Sequence, residues 1–284
     1  GSWSLLPLLV AQHVRPDIDL VYAGNVAIAI ECLVCALDLV DDVEDSDATP
    51  IVDALGTARV LNVSTTLLML AQKAIVSLEQ MGIASDTVVR LLDTMQEAVI
   101  VATVGQHRDL LAEHRPAQDL TFEECIEIAA GKGGSLMRLA CRIGALCADA
   151  NTLLVEQFSE LGKLLGISYQ LDNDSHDMYY LLQTQHLVSG DTGKESLFLS
   201  RKTDLIRNKK TLPVVLAAQK KDTLQEQSLV ADEKNEEYVR ALHEGIIMTW
   251  GISLLYRERA HDCLRKIEEQ QAIAPTLKLL LGFE

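Results

Sequence analysis

Asp38-Leu-Val-Asp41-Asp42-Val-Glu44-Asp45-Ser-Asp47 ends a segment that is otherwise apolar from Tyr22 onward. The apolar residues before it recur at spacings of three and four, the period of a buried helical face. At about 100° per residue, Asp38, Asp41, Asp42 and Asp45 fall on one side of that helix. Carboxylates stacked this way repel one another, and at a helix C-terminus they also oppose the macrodipole. A solvated acidic helix end is one reading. The other is a hard divalent cation, which reverses the sign of the repulsion; Mg²⁺ in particular keeps coordination positions open for phosphate oxygens.

A second cluster strengthens the metal reading. Tyr169-Gln170-Leu171-Asp172-Asn173-Asp174-Ser-His176-Asp177 closes another apolar helical segment, and Asn173, Asp174 and Asp177 share a face. Two oxygen-rich helix faces in one bundle can converge on a common cavity and hold metal ions between them.

Composition argues against a nucleic-acid binder. The chain has 284 residues with 25 basic and 41 acidic side chains, a formal charge of −16, which leaves no basic surface for a phosphate backbone. Helical spacing is read over Tyr22 to Glu44, Thr57 to Gln80, Ser85 to Glu113, Phe122 to Ala148, Leu153 to Leu182, Leu212 to Lys221 and Glu236 to Gln270. Gln183 to Thr203 and Lys220 to Glu237 are polar and read as loops. No linker-like run divides the chain before Gln183, so residues 1–284 are expected to form a single all-α domain. Six cysteines are too sparse for a disulfide scaffold, which with the absence of a signal peptide favours a cytoplasmic protein. The most apolar stretch, Val60 to Leu78, is interrupted by Asn62, Gln72 and Lys73, and no membrane span is expected.

With these residues in place, the chain resembles the trans-isoprenyl diphosphate synthase, or polyprenyl synthetase, superfamily. Asp41-Asp42-Val-Glu-Asp45 matches its first aspartate-rich motif, and Tyr169-Gln170 through Asp177 is similar to its second. Gly105-Gln106 with Asp109, Lys132, and Lys209-Lys-Thr211-Leu-Pro213 come in the family's order. The resemblance implies an isoprenoid-synthase helical bundle with a central cavity, a homodimer, and an allylic isoprenyl diphosphate held by Mg²⁺, as three ions, between the acidic walls. It assigns catalytic roles to Asp41, Asp42, Asp45, Asp174 and Lys132. Asp41, Asp45, Asp174, Asn173 and Asp177 become the metal ligands. Lys132, Lys209, Gln106, Gln170, Tyr169 and Arg201 become substrate-binding residues. Lys132 lies in Gly131-Lys-Gly133-Gly134-Ser, read either as backbone N–H groups open to an anion or as a packing kink.

The departures bear on the reaction. Chain-elongating members bind a second, homoallylic diphosphate through basic residues. The matching stretch here, Gly1 to Pro7, has no cation, and Ser46 to Leu55 contains no basic residue. An anionic group without cationic partners has nothing to offset its desolvation. The expected function is therefore a class I terpene synthase that ionises a C15–C20 or longer allylic diphosphate and releases diphosphate. The alternatives are a prenyltransferase, either acting on a peptide or other acceptor or elongating an isoprenyl chain, and a noncatalytic partner subunit.

Overall fold

The computed structural model describes residues 4–47, 49–185, 209–220 and 236–283. The described residues contain helices and no strand. In chain order the helices are α1 (Leu5–Val14), α2 (Leu20–Glu44), α3 (Pro50–Leu55), α4 (Thr57–Val76), α5 (Ser85–Ala112), α6 (Phe122–Ala129), α7 (Ser135–Cys147), α8 (Thr152–Gln185), α9 (Leu212–Gln219), α10 (Glu236–Glu268) and α11 (Pro275–Leu280). A short 3₁₀ turn over Ser77–Met81 comes after α4, and a π-helical turn over Ala130–Gly134 joins α6 to α7.

The main core is built from one face each of α1, α2, α5, α7, α8 and α10, with Phe158, Ile30, Leu33, Leu91 and Ile143 among its fully buried side chains. A second cluster under α9 joins Met178, Val214, Ala217 and Ile246. Burying a large apolar side chain contributes about 2 kcal/mol, so these faces fix which side of each helix points inward. The same rotation turns Asp45, Gln106 and Asp109 inward at one end of the bundle.

Local chemistry sets the helix ends. Asp19 caps α2 by accepting from the Val21 and Tyr22 N–H groups. Thr121 and Glu124 form a reciprocal capping box on α6. Asp149 and Ser46, both at positive φ, close the turns after α7 and α2.

Several sequence expectations need correction. Helices α1, α3 and α11 are not among those expected; Pro275 occupies the first turn of α11, where a missing N–H costs nothing. Helix α8 continues to Gln185, past the expected loop start at Gln183; most of that loop and of Lys220 to Glu237 lies outside the described residues. Two helical stretches, Leu20–Glu44 and Thr57–Met81, are long and apolar enough to cross a bilayer by length and composition, so Val60 to Leu78 is not the most apolar candidate. Half of the most apolar window in Leu20–Glu44 is buried inside the protein.

Candidate active site

Helix α2 delivers Asp41 and, at its C-cap one turn on, Asp45, and helix α5 delivers Gln106 and Asp109. Asp45 is buried at the end of α2. Its Oδ1 accepts from Gln106 Nε2 at 3.1 Å, and its Oδ2 is paired with Lys209 Nζ. Asp109 Oδ2 accepts from Lys132 Nζ at 2.9 Å and lies 3.7 Å from Lys209 Nζ. Lys132 Nζ is also 3.4 Å from Asp41 Oδ1. Two lysines from distant parts of the sequence thus meet three carboxylates from two helices.

The π-helical turn explains how Lys132 reaches this point. A π turn inserts one residue into the helical repeat and re-aims the side chains beyond it. Ser135 Oγ donates to the carbonyl oxygens of Gly131 and Lys132, which the wide turn leaves underused. The surrounding glycines permit close backbone approach. A Cβ on Gly131 would stand 2.7 Å from Gly105 Cα, and one on Gly133 would stand 2.7 Å from the Gly166 carbonyl oxygen. The packing reading of Gly131-Lys-Gly133-Gly134 is the one that fits, because these glycines are buried between helices α5 and α8.

Asp174, of the second acidic motif, lies on α8. Its Oδ1 accepts from Gln170 Nε2 at 3.0 Å, and it has no ion pair among the described residues. Burial pushes its carboxyl up to about 7; the Gln170 hydrogen bond works against this, and the charge of Asp109 adds to it. Asp109, Lys132 and Lys209 lie near enough to Asp174 for their charges to act on it. Asp41 is also raised, first by burial and then by the nearness of Asp45, with Lys132 opposing. Lys132 lies above the ordinary lysine range: burial lowers it, but Asp109 and Asp41 outweigh that.

The other sequence-predicted residues differ in exposure. Asp42 is half-buried, while Asn173, Asp177 and Tyr169 are exposed. Arg201 lies outside the described residues. Of the two glutamines, Gln106 supports Asp45 and Gln170 supports Asp174. His107, beside Gln106, is exposed. Cys32 is half-buried against the main core and Cys35 is exposed; all six cysteines are free thiols. Asp109, a mere landmark in the sequence, is the carboxylate that both lysines share. Glu113, one turn further along α5, belongs to the same electrostatic neighbourhood, its carboxyl raised by burial and by Asp45. The signal for both is the i, i+3, i+7 spacing counted from Gln106.

The donors fit Mg²⁺. They are hard oxygens, Asp174 is an acid short of positive charge, and Gln106 Oε1 is buried with no hydrogen-bond donor among the described residues. No three acidic or other ligating side chains already converge at metal distance among the described residues. On the α2 side Asp41 and Asp45 are each paired with a lysine ammonium that also approaches Asp109.

The polyprenyl synthetase family model matches residues 4–246. A geranylfarnesyl diphosphate synthase from Aeropyrum pernix is 27% identical over 225 residues, 76% of this chain and 65% of that protein. A tryptophan prenyltransferase ComQ from Bacillus spizizenii is 30% identical over 151 residues, 52% of this chain and 49% of that one. The chain thus spans less than two thirds of the length of either relative. Among solved structures, a geranylgeranyl pyrophosphate synthase superposes with a TM-score of 0.76 at 20% identity, covering 99% of this chain and 87% of that one. The likeness to that structure shows the all-α fold. These relatives carry the names of prenyl-transferring enzymes, and the expected class I terpene synthase finds no support among them. The chain belongs to the polyprenyl synthetase family.

Proposed function

We propose that the chain is a prenyltransferase that ionises an allylic isoprenyl diphosphate of C15–C20 or longer and joins the resulting cation to an acceptor, with chain elongation by isopentenyl diphosphate as the leading reaction. The observation that carries this is the meeting of Lys132 and Lys209 with Asp41, Asp45 and Asp109, and the raised carboxyl of Asp174 on α8 supports it. Asp41, Asp45 and Asp174 would hold Mg²⁺, with Asn173 and Asp177 as further oxygen donors and a count of three ions. When bound, the metal supplies positive charge to the leaving diphosphate.

The protein's own groups do the rest. Lys132 and Lys209 bring fixed ammonium charges to the diphosphate from two different segments, a preorganised arrangement that costs no rearrangement as the C–O bond breaks. Gln106 keeps Asp45 oriented, and Gln170 does the same for Asp174. The catalytic unit spans residues 1–284 as one domain and works as a homodimer in a reducing cytoplasm, consistent with six free thiols.

A second reading has its own support. Ser46 to Leu55 and Gly1 to Pro7 carry no basic residue to receive a second diphosphate, which favours a nonphosphorylated acceptor or release of a terpene. Incubation with Mg²⁺ and farnesyl or geranylgeranyl diphosphate, with and without isopentenyl diphosphate, separates the two. Elongation gives longer diphosphates only when isopentenyl diphosphate is added. A hydrocarbon or alcohol formed without it establishes the second reading, and inertness toward every allylic diphosphate refutes both.

A further inference from the structure

Lys132 and Lys209 are like charges brought together by the fold, and one oxygen stands between them. Asp109 Oδ2 is 2.9 Å from Lys132 Nζ and 3.7 Å from Lys209 Nζ. Asp109 is 8% exposed and Lys209 8%, so water does little to keep the ammonium groups apart in energy or in place. The lysines also pair with Asp41 and Asp45, the very carboxylates that the proposed reading gives to Mg²⁺. A divalent ion competes with an ammonium for a carboxylate and wins on charge. Asp109 lies on α5, outside both aspartate-rich motifs, and is the one of the three carboxylates that the proposed reading does not give to the metal.

We propose that Asp109 is a positioning residue, which holds Lys132 and Lys209 as a pair with a set spacing so that both ammonium groups face one diphosphate. This rests on the prenyltransferase reading of the site. Asp109 touches no reacting atom; it acts through the two lysines. Its effect has an unusual sign. Removing a negative charge from beside an anionic ligand should by itself tighten binding, whereas loss of positioning weakens it.

The test is calorimetric titration of the full chain with inorganic pyrophosphate in the presence of Mg²⁺, which needs no turnover. Asp109→Asn is expected to weaken pyrophosphate binding about tenfold, the worth of one charge-assisted hydrogen bond. In the Lys132→Met background the same substitution should have less than half that effect on a logarithmic scale, because one member of the pair is already gone. In steady-state assays KM for the allylic diphosphate should rise more than kcat falls. Asp109→Glu keeps the charge and shifts it by one methylene; it guards against a variant that fails to fold and should weaken binding by a smaller factor, about threefold. Binding as tight as in the unsubstituted chain, or tighter, in Asp109→Asn and Asp109→Glu overturns the inference while leaving the site intact. Failure of the unsubstituted chain to bind pyrophosphate with Mg²⁺ brings down the underlying reading of the site instead.

Discussion

The two acidic walls solve the same electrostatic problem in opposite ways. On α2, Asp41 and Asp45 face lysines that the protein itself provides, and Asp45 is sealed against Lys209 and Gln106. On α8, Asp174 accepts from Gln170, a neutral partner, and is pushed up to about 7 by burial. One wall is neutralised in advance and the other is left wanting a cation. A site built this way holds its shape without metal on one side and gains most of its binding drive on the other.

The sharpest way to break this comparison is to neutralise one acid on each wall. Asp45→Asn takes from the buried Lys209 its nearest carboxylate and leaves the more distant Asp109, and breaking a buried pair typically costs 3–5 kcal/mol. Because Asp109 remains, a loss of about 3 kcal/mol in urea unfolding is expected. Asp174→Asn removes an acid whose charge is costly in the metal-free fold, so stability should stay level or rise. Turnover should nevertheless fall about a hundredfold or more in both, as it does when a group stabilising the developing charge is lost. Equal destabilisation by the two substitutions would erase the distinction between the walls.

The next effect is a pH dependence. Because Asp174 is raised from 3.8 to about 7 in the fold, the folded chain keeps a proton between those values that the unfolded chain has released. This contribution to stability is therefore full below pH 4, is lost as pH rises towards 7, and is constant above. Its size is on the order of 2 kcal/mol once the partial exposure of the side chain is allowed for. Mg²⁺ favours the ionised carboxylate, so the rise in melting temperature on adding Mg²⁺ should be larger at pH 8 than at pH 5. Asp174→Asn should flatten the slope, and a metal-free melting temperature that climbs between pH 5 and 7 through this residue would contradict the picture.

A steric probe comes third. The Lys132 segment and α8 touch through bare backbone, and a methyl on Gly166 would run into the Gly133 carbonyl oxygen. Gly166→Ala should cost about 1–2 kcal/mol by overpacking and displace Lys132 along with its turn. Gly24→Ala, where nothing stands within 4 Å, is the matched control and should be neutral or slightly stabilising. Differential scanning of the two variants checks this pair.

How much of this is legible in the residues depends on range. The apolar repeats ending in Asp41–Asp45 and Asp174 are local, and they define the helices and the two walls directly. Lys132 and Lys209 are readable as members of the site, but not their pairing with Asp109, which is decided by where α5, the π turn and the start of α9 cross. The π turn itself is half-visible: Gly131-Lys-Gly133-Gly134 marks an interruption, yet only the approach of Gly105 and Gly166 shows that the glycines serve backbone contact. Asp42 and Asp41 look equivalent in sequence, and only the fold shows that Asp41 Oδ1 stands 3.4 Å from Lys132 Nζ. Short helices such as α1 and α11 carry too few turns for their period to stand out.

The smallest expected effect tests whether Asp174 is tuned or simply buried. Gln170 Nε2 donates to Asp174 Oδ1 at 3.0 Å, a hydrogen bond that opposes the upward push of burial. Gln170→Leu removes that donor and keeps the side-chain volume close to the original. A bond to a charged acceptor is worth about 1.5–3 kcal/mol when dry, and the partial exposure of both residues reduces this, so the Asp174 midpoint should move up by about one pH unit or less. A carbon-detected NMR titration of the Asp174 carboxyl reads the shift directly, and the apparent Mg²⁺ affinity at pH 7 should fall by roughly two- to tenfold, on the order of one pKa unit, because more of the acid is protonated. If the midpoint does not move, Gln170 is holding the side chain in place without setting its charge, and the contrast between the walls reduces to burial on α8 against lysines on α2.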